Sequence, residues 1–127
     1  MAAGKGKAAM SEDAEDRAEM ARMLAEAGDS GAAAKEFRAI ATDGSVDDTV
    51  RLEAARGLAE IDERAAAEAC CSIAADSSVD DTVRLEAAML AEGDSRWAAT
   101  AFHAITADGS VDATVRQEAA RGLAEIG

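Results

Sequence analysis

Residues 45–60 read SVDDTVRLEAARGLAE, and this stretch decides the fold because it recurs twice more in the chain. The later copies are SVDDTVRLEAAMLAE at 78–92 and SVDATVRQEAARGLAE at 110–125, which gives repeat lengths of 33 and then 32 residues. A diverged copy, EDRAEMARMLAE, lies upstream at 15–26. Recurrence at a fixed spacing of about 20–50 residues indicates a repeat architecture, in which each unit buries its apolar face on its neighbours.

Two kinds of helix alternate in this repeat. The quoted stretch carries apolar residues at Val50, Ala54, Leu58 and Ile61, whose steps of four, four and three match the helical period. We name this helix B. The segments between its copies carry a second apolar stripe, which we name helix A. The residues expected to be buried in the two helix types are Val50, Ala54, Leu58, Val83 and Val115 in B, and Phe37, Ile40, Cys70, Ile73, Phe102 and Ile105 in A.

The helix boundaries follow from short polar residues. Asp47, Asp80 and Asp112 stand just before each B helix, where a carboxylate accepts the unpaired backbone N–H groups, and Asp13 has the same place in the first copy. The resulting prediction is an all-α chain of about seven helices. It places a flexible tail at 1–10 and one domain at 11–127, with a leading B helix at 13–27 and A/B pairs at 31–61, 63–92 and 95–126.

The motif Asp-x-x-Val-Arg-x-x-Ala-Ala, followed by Leu-Ala-Glu, resembles the HEAT-like repeats of phycobilisome-lyase-type proteins and of bacterial scaffold proteins. The resemblance implies a right-handed α-solenoid of two-helix HEAT-like repeats. It also implies a ladder between repeats, built from the Arg and the Asp that precedes it. In this chain the ladder residues would be Asp13 with Arg17, Asp47 with Arg51, Asp80 with Arg84, and Asp112 with Arg116.

The net charge and the pattern of apolar residues argue against nucleic-acid binding and against insertion into a membrane. A net charge of −13 disfavours nucleic acid, whose phosphates must be neutralised by Lys and Arg. No apolar run is long enough to predict a membrane span, and the first residues lack the apolar core of a signal peptide, so a cytoplasmic location is expected. Neighbouring Cys70 and Cys71 in a helical pattern are expected to be reduced thiols.

The sequence offers little for catalysis. His103 is the single histidine and follows a core position, so its register predicts a surface residue. No CxxC or HExxH spacing occurs, which argues against a zinc site. The repetition of Asp47-Asp48 and Asp80-Asp81 at helix starts favours capping over acid–base chemistry. We therefore expect no enzyme activity, no cofactor and no metal.

The exposed side of the B helices is the candidate partner surface. Its charged residues either form solvated pairs within each helix or make an acidic strip for a basic protein segment. Trp97 is either an anchor for that partner or a lid over the alanine-rich core. The partner-binding candidates are Glu19, Arg22, Glu53, Arg56, Glu60, Glu86, Met89, Trp97, Glu118 and Arg121.

Two functions fit these features. The first is a non-catalytic protein–protein interaction scaffold, interpreted as a fragment of a larger regulatory or sensor protein. The second is a small-ligand carrier or lyase-like binder that uses the groove between helices. The last B helix keeps the repeat consensus without an evident polar cap, so self-association through 112–126 is also expected.

Overall fold

The computed structural model describes the backbone of residues 6–126 and the side chains of residues 14–126, and over this range the chain is all-α. A 3₁₀ turn, Ala91–Gly93, follows the fifth helix. None of the helices in the described range is long and apolar enough to cross a membrane. The seven α-helices are α1 (Gly6–Glu26), α2 (Ser30–Ala41), α3 (Asp48–Ile61), α4 (Glu63–Ala74), α5 (Asp81–Leu90), α6 (Ser95–Thr106) and α7 (Ala113–Ile126).

Aspartates start the helices of both types. The Asp47 carboxylate accepts a hydrogen bond from the Thr49 backbone N–H, and Asp80 and Asp112 do the same one and two repeats later. The predicted caps of these B helices are therefore confirmed. Asp29, Asp62 and Asp94 cap the A helices in the same way, so a carboxylate satisfies unpaired N–H groups at the start of each of these helices.

The first helix begins earlier than the sequence predicts. It starts at Gly6, so residues 6–10 continue α1 where a flexible tail was expected, and Asp13 lies inside the helix and not at its start. The expected capping position of Asp13 is therefore wrong. The segment before it has no Pro and carries Lys7, Ala8 and Ala9, which favour helix, so no residue type there ends it. Residues 1–5 and the Asp13 side chain lie outside the described part.

Helix contacts follow one rule along the chain. Each helix packs against the next one, and each also packs against the next but one. As a result α1, α3, α5 and α7 contact one another in succession, and α2, α4 and α6 do likewise. Helices further apart in sequence make no such contacts within residues 6–126. The core therefore runs between two rows of helices.

The predicted core positions are confirmed. All eleven residues named for the two stripes are buried, and Phe37, Leu58, Phe102 and Ile105 are among the largest side chains with almost no exposure. Ile61, at the end of its stripe, is only half-buried and packs against the core edge. Alanine fills much of the remaining core, so the helices must approach closely to exclude water.

The A and B helices of a repeat lie close together where a phenylalanine of the A helix packs against a glycine of the B helix. A Cβ atom added at Gly57 would lie 2.6 Å from Cζ of Phe37, and one added at Gly122 would lie 2.6 Å from Cζ of Phe102. These glycines sit inside helices because the aromatic ring occupies the space of a side chain. In the middle repeat, Cys70 stands at the phenylalanine position and, by register, Leu90 stands at the glycine position.

Candidate functional site

Two equivalent pockets open between neighbouring B helices. The N-terminal pocket lies between α1 and α3 and has a volume of about 360 Å³. The C-terminal pocket lies between α5 and α7, two repeats later, and has a volume of about 240 Å³. We call the surface of α1, α3, α5 and α7 that carries both pockets the B face.

Each pocket has an aromatic floor that reaches the surface beside a glycine. Phe37 lines the N-terminal pocket next to Gly57, and Phe102 lines the C-terminal pocket next to Gly122. Both rings belong to A helices and are almost fully buried, so only an edge contacts the pocket. The sequence predicted these phenylalanines as core, but their opening to the B face was missed. The glycine at the same place in two B helices was the available signal.

Charged side chains form the pocket walls. Within the described residues, none of these wall charges forms an ion pair within 4.0 Å. Pairs within each helix, such as Glu53 with Arg56, were one of the two alternatives for these residues. They are not formed in this part of the chain, and the charged side chains are exposed. The walls contain Arg22, Glu26, Glu53, Arg56 and Glu60 in the N-terminal pocket, and Glu92, Glu118, Arg121 and Glu125 in the C-terminal pocket.

The pockets bring together seven of the ten partner-binding candidates. Arg22, Glu53, Arg56 and Glu60 line the first pocket, and Met89, Glu118 and Arg121 line the second. Glu19 and Glu86 are exposed but line neither pocket, and Trp97 is half-buried against the core. Of the two roles considered for Trp97, its position supports the lid.

A ladder of arginines links successive repeats, but through other aspartates than expected. The guanidinium of Arg51 donates from Nε to the carbonyl oxygen of Ala41 at 2.9 Å and from Nη1 to Oδ2 of Asp76 at 2.9 Å. Arg84 repeats this with Ala74 at 2.8 Å and Asp108 at 2.9 Å. Both arginines are only 2% exposed. Each guanidinium therefore joins its own A helix to the A–B turn of the next repeat.

The expected pairings of Arg51 with Asp47, of Arg84 with Asp80 and of Arg116 with Asp112 are not formed among the described residues. The expected pairing of Arg17 with Asp13 lies outside the described side chains. Asp80 and Asp112 instead connect successive B helices through their backbone. The Asp80 N–H donates to the Asp48 carboxylate at 2.9 Å, and the Asp112 N–H donates to the Asp81 carboxylate at 2.9 Å. Carboxylates at the start of one B helix thus bind the start of the next. The capping carboxylates accept hydrogen bonds from the N–H groups of their own helices.

The two outer arginines differ from the inner ones. Arg17 of α1 pairs with Glu36 at 3.3 Å, and both side chains are 41% exposed. Arg116 of α7 is half-buried, and its Nε has no hydrogen-bond partner in the described part of the chain. Exposed pairs contribute little to stability, so the strong links are those of Arg51 and Arg84.

The turn aspartates and the cysteines have shifted pKa values. Hydrogen bonds from the Ser78 hydroxyl and N–H, together with Arg51, lower the pKa of Asp76 to about 2. Ser110 and Arg84 lower the pKa of Asp108 to about 2 in the same way. Burial raises the pKa of Cys70 to about 12 and also raises the pKa of Cys71. Both cysteines are buried free thiols, which disfavours a reactive thiolate.

His103 is exposed on α6, as its register predicts. Among the described residues, no group of three or more His, Cys, Asp or Glu side chains is arranged to hold a metal ion. No family model, curated protein sequence or solved structure matches this chain. Its resemblance to HEAT-like repeats therefore rests on the repeated residues themselves.

Proposed function

We propose that this chain is a right-handed solenoid of short HEAT-like repeats whose B face binds a partner protein without catalysis. The repeated helix pairs and the contacts of each helix with its next and next-but-one neighbours support the solenoid, because such proteins are held together by nearest-neighbour interfaces. The surfaces that solenoids use for binding are extended faces created by the stacking of their repeats. The row of B helices forms such a face here.

The observation that carries the binding proposal is the duplication of one pocket. The two pockets share a phenylalanine floor, a helical glycine, three glutamates and at least one arginine, and their charges make no ion pairs within the described residues. Core packing explains the phenylalanine and the glycine. It does not require three carboxylates around each opening, and carboxylates at these places would attract a basic ligand.

A lysine side chain matches this arrangement. Its methylene stem would cover the edge of Phe37 or Phe102 while its ammonium group lies among the glutamates. Each exposed charge pair contributes only about 0.2–1 kcal/mol, so the charges mainly speed encounter and exclude acidic partners. The apolar contribution would come from the aromatic floors and from Met89, which is 53% exposed beside the C-terminal pocket.

The test compares charge reversal inside and outside the pockets. The pocket variant is Glu53→Lys/Glu118→Lys. The control variant, Asp16→Lys/Glu63→Lys, makes the same change of net charge at exposed residues that line neither pocket and form no ion pair within the described residues. Fluorescence anisotropy measures the binding of a labelled peptide of alternating Lys and Leu at low and high salt. We expect tight binding by the wild type and the control, weakened by salt, and loss of binding by the pocket variant.

Two results would reject the proposal. Equal loss in both variants would mean that the peptide responds only to net charge. Binding that is indifferent to salt and to both variants would favour the alternative, a small ligand held between helices. The N-terminal pocket, at about 360 Å³, lies at the lower end of the range for small-molecule sites, and its charged walls differ from their usual apolar lining.

A further inference from the structure

The arginine of α7 lacks the partners that its counterparts have. Arg51 and Arg84 each donate to a backbone carbonyl and to a turn aspartate of the following repeat. Arg116 occupies the same repeat position, yet its buried Nε has no hydrogen-bond partner among the described residues. No carboxylate of the described chain forms an ion pair with it. Its donors are therefore available to a group from outside residues 6–126.

A cavity opens beside this guanidinium on the outer side of α7. It has a volume of about 340 Å³ and is lined by Thr106, Ala113, Arg116, Gln117 and Ala120, and we call it the end pocket. Its lining offers the guanidinium and the amide of Gln117 as hydrogen-bond donors, and it contains no carboxylate. The Thr106 hydroxyl already donates to the carbonyl oxygen of His103 at 3.0 Å. The end pocket therefore carries a positive charge, whereas glutamates predominate in the walls of the two pockets on the B face.

Two residues distinguish this surface from the inner B helices. Ala113 stands where Asp48 and Asp81 bind the start of the next B helix. Gln117 is exposed where Leu52 and Leu85 are buried, at 4% and 9% exposure. The end pocket has therefore lost the carboxylate and the leucine that join inner repeats and has kept the arginine. This combination weakens apolar stacking and keeps the capacity to bind an anion.

We propose that the end pocket binds an aspartate of a polypeptide segment from outside residues 6–126, presented in an Asp-x-Ser turn like those at Asp76 and Asp108. The chain shows this recognition twice. In the turn at Asp76, Oδ1 accepts from the N–H and hydroxyl of Ser78 at 3.0 and 2.7 Å, which leaves Oδ2 for Nη1 of Arg51. The serine orients the carboxylate, and a guanidinium donates charge-assisted hydrogen bonds to it.

A second copy of this chain does not supply such a turn readily. Its turn at Asp43 and Ser45 has the same internal hydrogen bonds, but α1 packs against both helices that flank it. The position that α7 of another copy would need is thus already occupied by α1. The turn is therefore supplied from outside residues 6–126 of this copy, and this interface is separate from the B face.

The experiment follows the Nε–Hε cross-peak of Arg116 by NMR during titration of the full chain. The probe is an acetylated and amidated peptide of residues 75–82, which contains Asp76 and Ser78, and the matched peptide carries Asp76→Asn. We expect a saturable shift with the aspartate peptide and affinity weaker by about tenfold or more with the asparagine peptide, because a charge-assisted hydrogen bond is lost. Arg116→Lys lacks this cross-peak, so its titration follows the side-chain amide of Gln117, and its binding should be weakened similarly. Arg64→Lys, at an exposed position of α4 outside the pockets, should leave binding unchanged.

A longer peptide of residues 62–92 presents the same turn between two helices and covers the possibility that the short peptide is too flexible. Failure of both peptides to move the cross-peak overturns the proposal, as does equal binding of the aspartate and asparagine forms. The titration uses protein concentrations below those at which α7 self-associates. A shift that grows with protein concentration within this range, in the absence of peptide, would identify a second copy as the occupant and would also overturn the proposal. Melting curves confirm that the Arg116→Lys and Arg64→Lys variants are folded.

Discussion

The Nη1 atom of Arg51 and the Oδ2 atom of Asp76 lie 2.9 Å apart although the two residues are separated by 25 positions in the chain. The arginine is 2% exposed, so its charge has little contact with water, while the Asp76 side chain is 27% exposed. A buried charge that loses its partner is costly. This pair therefore makes a measurable contribution to the contact between repeats.

The first prediction isolates that contribution. Asp76→Ala should lower the free energy of unfolding more than Asp43→Ala does, because Asp43 makes the same hydrogen bonds with Ser45 but forms no ion pair within the described residues. The difference between the two variants should be about 1.5–3 kcal/mol, the value of a hydrogen bond to a charged group. Urea unfolding measures both. Equal losses would show that the arginine adds nothing.

A second prediction concerns the phenylalanine under the helical glycine. Gly57→Ala should destabilise the chain by about 1 kcal/mol, because overpacking against Phe37 outweighs the gain in helix propensity. Gly31→Ala in α2 is the control, since its Cβ meets no atom within 4 Å, and it should leave stability unchanged or raise it. Phe37→Leu should be less harmful in the Gly57→Ala background than in the wild type, and a purely additive double variant would argue against the clash.

The third prediction is an acid transition that depends on the turn aspartates. Folding lowers the pKa values of Asp76 and Asp108 to about 2, below the value of about 3.9 expected in the unfolded chain. Their stabilising contribution is therefore complete above about pH 5 and is lost as the pH falls through about 4 towards 2. Urea midpoints measured from pH 6 to pH 2 should fall in that window. Asp76→Asn/Asp108→Asn should have a lower midpoint at pH 6 and a shallower fall, and a parallel curve would refute the assignment.

Local pattern predicted the helices and the core, since the spacing of residues such as Phe37, Ile40 and Val50 reflects geometry within one helix. Contacts between repeats were harder to predict from the sequence. The pairing of Arg51 with Asp76 depends on how one helix pair stacks on the next, which no spacing within a repeat encodes. The floors of the pockets were missed for a related reason, because a buried ring and its neighbouring glycine lie in different helices.

The fourth prediction addresses self-association through α7, which we expect only at high protein concentration. Gln117 is exposed where inner repeats bury leucine, so α7 offers little apolar area to another copy. Gln117→Leu should increase association, and light scattering over a concentration series measures it. Lys35→Leu, at an exposed position of α2, is the control for an added surface leucine and should not increase association. A strict monomer for wild type and Gln117→Leu at every concentration would remove this interface.

The links through Asp48 and Asp81 imply a direction of cooperativity along the chain. Each carboxylate of one repeat fixes the first backbone N–H of the following B helix, and each ladder arginine needs the turn of that same following repeat. A repeat therefore makes all of its hydrogen bonds only when the following repeat is folded. Opening should begin at the outer helices and spread inwards, so amide hydrogens should exchange most slowly in α4 and α5, which lie between the two sets of links.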